Sequence, residues 1–546
     1  MFIDARQIHS GSVIRADIAI VGAGAAGISM ALELTGSGFT VCLLESGGLE
    51  FAWPTQALYS GLNAGLPYYD LDVCQLRFLG GNTNAWGGWC RPLDPIDFDL
   101  REWVEHSGWP FSLNALAPFY RRAHALCEVP SDDYDPGRAV IELDHPRAQL
   151  LPFDPARLET LIYRFSPPTR FGRVYRSALR RADDVRCYLN ANVLAIKTDT
   201  SARSVTRLAV GTLSGARFEV EARHYVLAAG GIENARLLLL SNDVIADGLG
   251  NRHDVVGRYF MAHPHTLRRV IVPTRRLPSG LYGELFHGRA IMARMALTDA
   301  VQRQEGLLNY SANLHPVYWA HDSSGWLALR KAVLSLSRSR RSDPFIRFPP
   351  YGRKGVSLPQ IFEMVRRIDR TGVAGLLRLF QPNRFISGFM LESKPEQAPN
   401  PDSRVTLDDS RDAFGLKRVK LDWRMLTIDR RTAVRGEEII DSELRRLGIG
   451  GMAPLSSAEI EGWPENLDGG WHQLGTTRMH DDPKRGVVDS NARVHGLSNL
   501  FIAGGSVFPT GGTAPPTLTI VALALRLAAH LKRDLMQTSA GTATKT

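Results

Sequence analysis

Ala16-Asp-Ile-Ala-Ile-Val21, Gly22-Ala-Gly-Ala-Ala-Gly27, Ile28 to Leu34 and Thr40-Val-Cys-Leu-Leu-Glu45 form one continuous stretch, and its reading decides the fold. A short apolar run is followed by a glycine turn, an apolar segment with helical spacing and a second apolar run, which predicts a complete βαβ unit over residues 16–45. Gly22, Gly24 and Gly27 supply the G-x-G-x-x-G pattern, which lets a chain turn tightly and lets a pyrophosphate approach the positive end of a helix. Glu45 lies eighteen residues beyond the last glycine, placed to accept from ribose hydroxyls and ill suited to a 2′-phosphate. The motif predicts a dinucleotide site and disfavours NADP, but leaves FAD and NAD open.

Further along, Gly80-Gly-Asn-Thr-Asn-Ala-Trp-Gly-Gly-Trp89 is expected to be a loop, being too rich in small residues for a regular helix or strand. Val185 to Ile196, Ser204 to Leu213 and His224 to Gly231 look like strands, the last ending in a double glycine before a helix near Glu233. From about residue 262 to residue 455 the pattern shifts to strands (Arg268 to Val272, Phe385 to Glu392, Val405 to Leu407) and amphipathic pieces such as Phe362 to Leu379. A final strand, turn and helix span Asn499 to Leu531.

Composition excludes several classes. The 546 residues are 44% hydrophobic and 22% charged, as in ordinary globular proteins and unlike disordered or collagen-like chains. A formal charge of +9 arises from 65 basic against 56 acidic residues, a mixed surface that does not indicate nucleic-acid binding. The densest basic stretch, Arg330 to Lys354, is broken by prolines and reads as a solvated loop. Five cysteines with no C-x-x-C spacing suggest neither a disulfide framework nor a metal site. Met1 to Asp17 lacks the apolar core of a secretory signal, and Leu518 to Leu531 is too short and too interrupted to span a membrane. A cytoplasmic location is expected, with no transmembrane segment.

The C-terminal segment carries a resemblance. Gly470-Trp-His-Gln-Leu-Gly-Thr-Thr-Arg-Met479, Val487-Val-Asp489, Arg493-Val-His-Gly496, Asn499-Leu-Phe501, Ala503-Gly-Gly-Ser-Val-Phe-Pro509 and Pro516 to Arg526 together resemble the glucose–methanol–choline (GMC) oxidoreductases, in particular their bacterial sugar-oxidising and pyranose-oxidase-like members. Leu79 to Trp89, Val226 to Arg236 and Pro399 to Arg404 extend the likeness over most of the chain, and residues 262–385 match least.

The resemblance implies an α/β protein with a discontinuous Rossmann-like FAD-binding domain and an α+β substrate domain whose large antiparallel sheet covers the flavin. The expected boundaries are 1–110, 180–261 and 456–536 for the FAD-binding domain, 111–179 and 262–455 for the substrate side, and a frayed tail at 537–546. By the same resemblance His472 is the catalytic base, Gly22, Gly24, Ala26, Gly27 and Glu45 hold the ADP moiety, and Val193 meets the adenine. Gly81, Asn82 and Asn84 lie beside the isoalloxazine, and Gly505 and Thr517 complete the cofactor contacts. An imidazole titrating near neutrality suits the proton transfer that must accompany hydride loss from an alcohol. His263, His265, His480 and His495 are read as structural.

The chain departs from the family pattern twice. Where the family places a second catalytic His or Asn, this chain has Pro515, which offers neither a side-chain donor nor a backbone N–H; Thr513 or His480 could substitute. Ala85 precedes Trp86 where some relatives carry the histidine that bonds covalently to flavin, so the FAD is expected to be non-covalent. The expected reaction is oxidation of an alcohol on a sugar, glycoside or polyol-like metabolite, with Trp86, Trp89 and Trp471 offering surfaces on which sugar rings stack. A non-oxidative, lyase-like chemistry on the same fold is the alternative that Pro515 raises. Oxygen, a quinone or a protein could each accept the electrons.

Overall fold

Val13–Val21 is a strand whose second half is closed to solvent, with Ile18, Ala19 and Ile20 fully buried, as expected for a parallel sheet covered on both faces. The computed structural model describes residues 1–274, 277, 280–283, 291–318, 386–464 and 467–543. Within them Val13–Val21 pairs in parallel with Val41–Leu44 on one side and with Arg217–Leu227 on the other. The sheet continues outward from Val41–Leu44 through Val185–Leu189 to Phe2–Asp4. Beyond Arg217–Leu227 it divides. Val205–Gly211 and Asn192–Thr198 turn antiparallel along the first half of that long strand, and Leu500–Ile502 joins its end in parallel. The helix Ala25–Leu34 leaves the glycine turn and packs against the final helix, Thr517–Ala543.

A second, wholly antiparallel sheet runs in the order Gly450–Met452, Thr266–Pro273, Ile386–Pro395, Tyr310–Tyr318, Ile291–Leu297, Leu158–Phe165 and Trp89–Cys90. Its strands alternate by face with a period of two. Tyr310, Ala312, Leu314, Leu391, Ala293 and Met295 enter a core together with Ile439, Ile440 and Leu444 of the helix Thr427–Arg446. The intervening Ser311, Asn313, Glu392, Lys394 and Arg294 are polar or charged, so the opposite face of this roof is hydrophilic. The expected fold class is the one observed.

Sheet membership departs from the expected boundaries at three places. Trp89–Cys90, expected to be loop within the cofactor block, is an edge strand of the roof. The helix Ala117–Leu126, placed on the substrate side, packs on the final helix and joins the core of the dinucleotide sheet through Tyr120 and Ala123. The hairpin Arg404–Arg411 and Lys417–Asp422 pairs with Leu62–Asn63 and buries Val405 and Val419 in that same core. In each case the apolar pattern says that a face is buried but not against which partner.

Val185 to Ile196 divides into two strands, with Asn190 at a φ of 61° between them. The final helix runs to Ala543, carrying the first part of the expected tail. Among the described residues no helix is long and apolar enough to cross a membrane. All five cysteines are buried and unbridged. The basic stretch Arg330 to Lys354 and the amphipathic piece Phe362 to Leu379 lie outside the described residues.

Candidate active site

Gly22 has a φ of 104°, and a Cβ on Gly27 would sit 1.9 Å from the carbonyl oxygen of Gly22, so the strand can fold back onto its helix only with glycine at these points. The turn is held from beneath by Glu45. Its Oε2 accepts from the Ala23 amide at 3.0 Å and its Oε1 from the Gly47 amide at 2.8 Å. Burial pushes the Glu45 carboxyl pKa up, and the two amides oppose that shift. From this turn a cavity of about 540 Å³ runs along the inner edge of the dinucleotide sheet to the roof. A cavity lined at one end by a helix N-terminus with a carboxylate beside it and at the other by a polar sheet fits a dinucleotide with its reactive ring at the far end.

Most of the residues expected at the site meet in this cavity. Gly22, Gly24, Ala26, Glu45 and Val193 line the turn end, while Gly81, Asn82, Gly505, Thr517, Pro515 and His472 line the remainder. Gly27 and Asn84 do not reach it. Gly27 serves the close helix–strand approach, and Asn84 donates to the Leu79 and Gly81 carbonyls at 2.9 and 3.0 Å, shaping the Gly81–Asn84 turn. Trp86, Trp89 and Trp471 also line the cavity. His480 does not; its Nδ1 accepts from the Asp482 amide at 2.9 Å, which removes it as a stand-in for the missing second residue. Thr513 does line the cavity, and its Oγ1 is buried without a hydrogen-bond partner among the described residues.

His263 and His265, read from the sequence as structural, both line the cavity. His263 Nδ1 lies 2.6 Å from His472 Nδ1, and His263 Nε2 lies 2.8 Å from the Gly512 carbonyl oxygen. These contacts fix the protons. A carbonyl oxygen only accepts, so a neutral His263 carries its proton on Nε2 and offers a lone pair at Nδ1; His472 must then donate from Nδ1, and where its ring is neutral its Nε2 is unprotonated. That Nε2 makes no hydrogen bond with the described residues.

Charge reinforces the assignment. Burial holds His263 down at about 4. Burial first, then His263 and Lys394, hold His472 well below the ordinary imidazole value, so both rings are neutral at pH 7. Behind them the Gly512 amide donates to Glu396 Oε1 at 3.3 Å, and Arg101 grips both oxygens of Glu396 at 2.7 Å in a fully buried pair.

The sequence did carry one signal for this arrangement, the His263-Pro-His265 triplet at the entry to the roof. Nothing in the sequence marked Arg77, which lines the turn end, lies 4.5 Å over the Tyr59 ring and pairs with Glu233 at 3.4 Å.

A dinucleotide-binding sheet and an antiparallel roof that enclose a neutral imidazole between them fit an oxidoreductase whose imidazole takes a proton while a bound dinucleotide takes hydride. Residues 399–524 match the GMC oxidoreductase family, and residues 17–246 match the FAD dependent oxidoreductases. The C-terminal part thus matches a GMC oxidoreductase domain and the N-terminal part an FAD-dependent oxidoreductase domain, and the protein is an FAD-dependent oxidoreductase acting on alcohol groups. It is 24% identical to the 2-methyl-1,2-propanediol dehydrogenase of Mycolicibacterium austroafricanum, over 96% of either chain. It is 26% identical to the paromamine 6'-oxidase of Streptomyces fradiae, over 95% of this chain and 92% of that one. Among solved structures, pyridoxine 4-oxidase from Mesorbium loti superposes with a TM-score of 0.58 at 20% identity, covering 94% of this chain and 98% of that one, a likeness of fold.

Proposed function

We propose that the protein oxidises a CH–OH group on a sugar, glycoside or polyol-like metabolite, with His472 as the base and FAD held without a covalent bond. The observation that carries this reading is the contact of His472 Nδ1 with His263, which leaves the Nε2 of a neutral His472 as a lone pair without a hydrogen-bond partner among the described residues. Bound FAD supplies the hydride acceptor. The residues of this chain do the rest. Gly22, Gly24 and the N-terminus of Ala25–Leu34 receive the pyrophosphate, Glu45 the ribose and Val193 the adenine, while Gly81, Asn82, Gly505 and Thr517 border the remainder of the cofactor. His472 Nε2 takes the hydroxyl proton as the carbon gives up its hydride, a role worth roughly 10²–10⁴-fold in rate. His263 holds that tautomer by accepting from Nδ1.

Pro515 lines the cavity but donates nothing, so the oxygen that loses its proton needs a different second partner. Thr513 Oγ1, two residues earlier and without a hydrogen-bond partner among the described residues, takes that place. A hydrogen bond to a charged oxygen is worth about 1.5–3 kcal/mol, so Thr513→Val lowers turnover by roughly 10–100-fold with FAD retained. Pro515→Asn lowers turnover too if the pocket is built around the proline; a gain would show that Thr513 does not fill the role. Ala85 presents only a methyl group beside Trp86, and acid precipitation should leave the flavin in the supernatant.

The deciding experiment records the flavin absorbance of the purified protein anaerobically while sugars, glycosides, aminoglycosides and simple alcohols are added in turn. Bleaching by one class supports the reading and names the substrate. A bound flavin that no alcohol bleaches would sink it in favour of a non-oxidative chemistry.

A further inference from the structure

The roof face over the cavity carries a guanidinium with which no acid among the described residues forms an ion pair. Arg294 is fully buried on the strand Ile291–Leu297 and lines the cavity. Its Nε donates to Ser311 Oγ at 3.0 Å, and its Nη2 reaches the Ser311 and Glu392 carbonyl oxygens at 3.2 and 3.4 Å. Among the described residues Nη1 has no hydrogen-bond partner and no carboxylate forms an ion pair with the guanidinium. Lys394, which also lines the cavity, is held by Glu392, with Nζ 3.1 Å from Oε1. The other oxygen of Glu392 accepts from His315 Nε2 at 2.8 Å, so this acid is committed to two partners and acts on Arg294 only through space, without a hydrogen bond to the guanidinium.

The two cations share one aromatic platform. Lys394 Nζ stands 4.3 Å, and Arg294 Cζ 6.0 Å, from the centre of the Trp89 ring. Lys394 is close enough to His472 for its charge to disfavour a proton there. Asp468, one of the acids of the cavity wall, has its pKa pushed up by burial, as Lys394 has its own pushed down, and each charge favours the other. A buried charge without a counter-ion costs several kcal/mol, and proteins keep one where a ligand completes the pair. Arginine in particular matches the two oxygens of a carboxylate.

We infer that the alcohol oxidised by this protein carries a carboxylate, received by Arg294 and Lys394 over the Trp89 ring while its hydroxyl lies on His472. Sugar acids and hydroxy acids then outrank the neutral sugars and polyols of the same skeleton. This rests on the reading of His472 as the base.

Two measurements on the FAD-loaded protein test it. The first titrates methoxyacetate, which has no oxidisable hydroxyl, against its neutral isostere methoxyacetamide, following the oxidised flavin spectrum and binding heat. The carboxylate is expected to bind at least tenfold more tightly, with the preference falling toward one in Lys394→Gln and in Arg294→Met. Should Arg294→Met fail to fold, Lys394→Gln and the wild-type pair carry the test. The second compares kcat/KM within the pairs glucuronate and glucose, lactate and 1,2-propanediol, glycerate and glycerol, with the acid favoured at least tenfold, chiefly through KM. Equal binding of methoxyacetate and its amide overturns the proposal even if neutral alcohols bleach the flavin. A shift of the flavin midpoint potential in Arg294→Met with an unchanged carboxylate preference overturns it as well, since the guanidinium then serves the cofactor. If no alcohol of either kind is oxidised, the reading of His472 falls, and the methoxyacetate ratio still decides whether the pocket selects carboxylates.

Discussion

At one end of the cavity Gly22, Gly24 and Glu45 come from thirty consecutive residues, whereas at the other His263 and His472 meet across 209 positions of sequence and face Lys394 and Thr513 from two further segments. The turn end is local. Spacing alone places its atoms, because a strand, a tight turn and a helix leave one geometry for the glycines. The histidine end is tertiary. Its protons are assigned by a hydrogen-bond relay from Arg101 through Glu396, Gly512 and His263 to His472, no link of which is a neighbour in sequence. The first end should therefore fail by losing the cofactor, and the second by losing the chemistry.

The sharpest separation comes from His472→Asn. Turnover is expected to fall roughly 10²–10⁴-fold while the flavin stays bound and the melting temperature barely moves. Flavin loss in this variant would erase the distinction between the ends. Next comes Arg101→Met, which strips a fully buried carboxylate of its partner and should cost about 3–5 kcal/mol of stability, read from the denaturation midpoint. Any folded fraction should keep its flavin more readily than its activity, because the disturbance reaches Gly512 before it reaches Gly22.

His263→Phe tests the relay itself. Without an acceptor at Nδ1 the His472 ring is free to take the other tautomer or to rotate, and a misplaced base costs on the order of 10²-fold. A structural filler would lose stability alone; a positioning residue loses kcat and moves the acid limb of the pH profile, with KM little changed. At the opposite end Gly27→Ala drives a methyl group against the Gly22 carbonyl, a strain of roughly 1–3 kcal/mol. There the flavin should wash off, and activity should return when FAD is added in excess. If excess FAD fails to restore it, the turn is doing more than holding the cofactor.

The same contrast explains what could be read from sequence. The βαβ unit, the turn glycines, Glu45, His472 and the departure at Pro515 were legible, since each sits in a short motif whose spacing is its geometry. The His263-Pro-His265 triplet marks two histidines together but not the partner 209 positions away that His263 meets. Arg294 and Lys394 were invisible for another reason. They are charged residues in strands that are otherwise apolar, and only the register of the roof, with Ser311 opposite Lys394 and Leu161 opposite Arg294, turns them away from the core. The helix Ala117–Leu126 went to the wrong sheet because an amphipathic stripe names a buried face and not its neighbour.

The smallest expected effect concerns pH, and its sign follows from burial. His263 is held at about 4 and His472 and His265 well below the ordinary value of 6.5, so all three stay neutral in the fold where the unfolded chain would already take protons. The unfolded state then binds more protons than the folded one as pH falls from about 6.5 toward 4, and stability declines through that window while changing little above it. Catalysis follows the same direction. The base must be neutral, so kcat/KM should lie on a plateau between pH 7 and 8 and bend down only on the acid side of 6.5. An acid limb centred above pH 7 would mean that His472 rests as an imidazolium, against the burial and the neighbouring Lys394 charge that hold its pKa down; the contact with His263 would not prevent it, since a doubly protonated ring still donates from Nδ1.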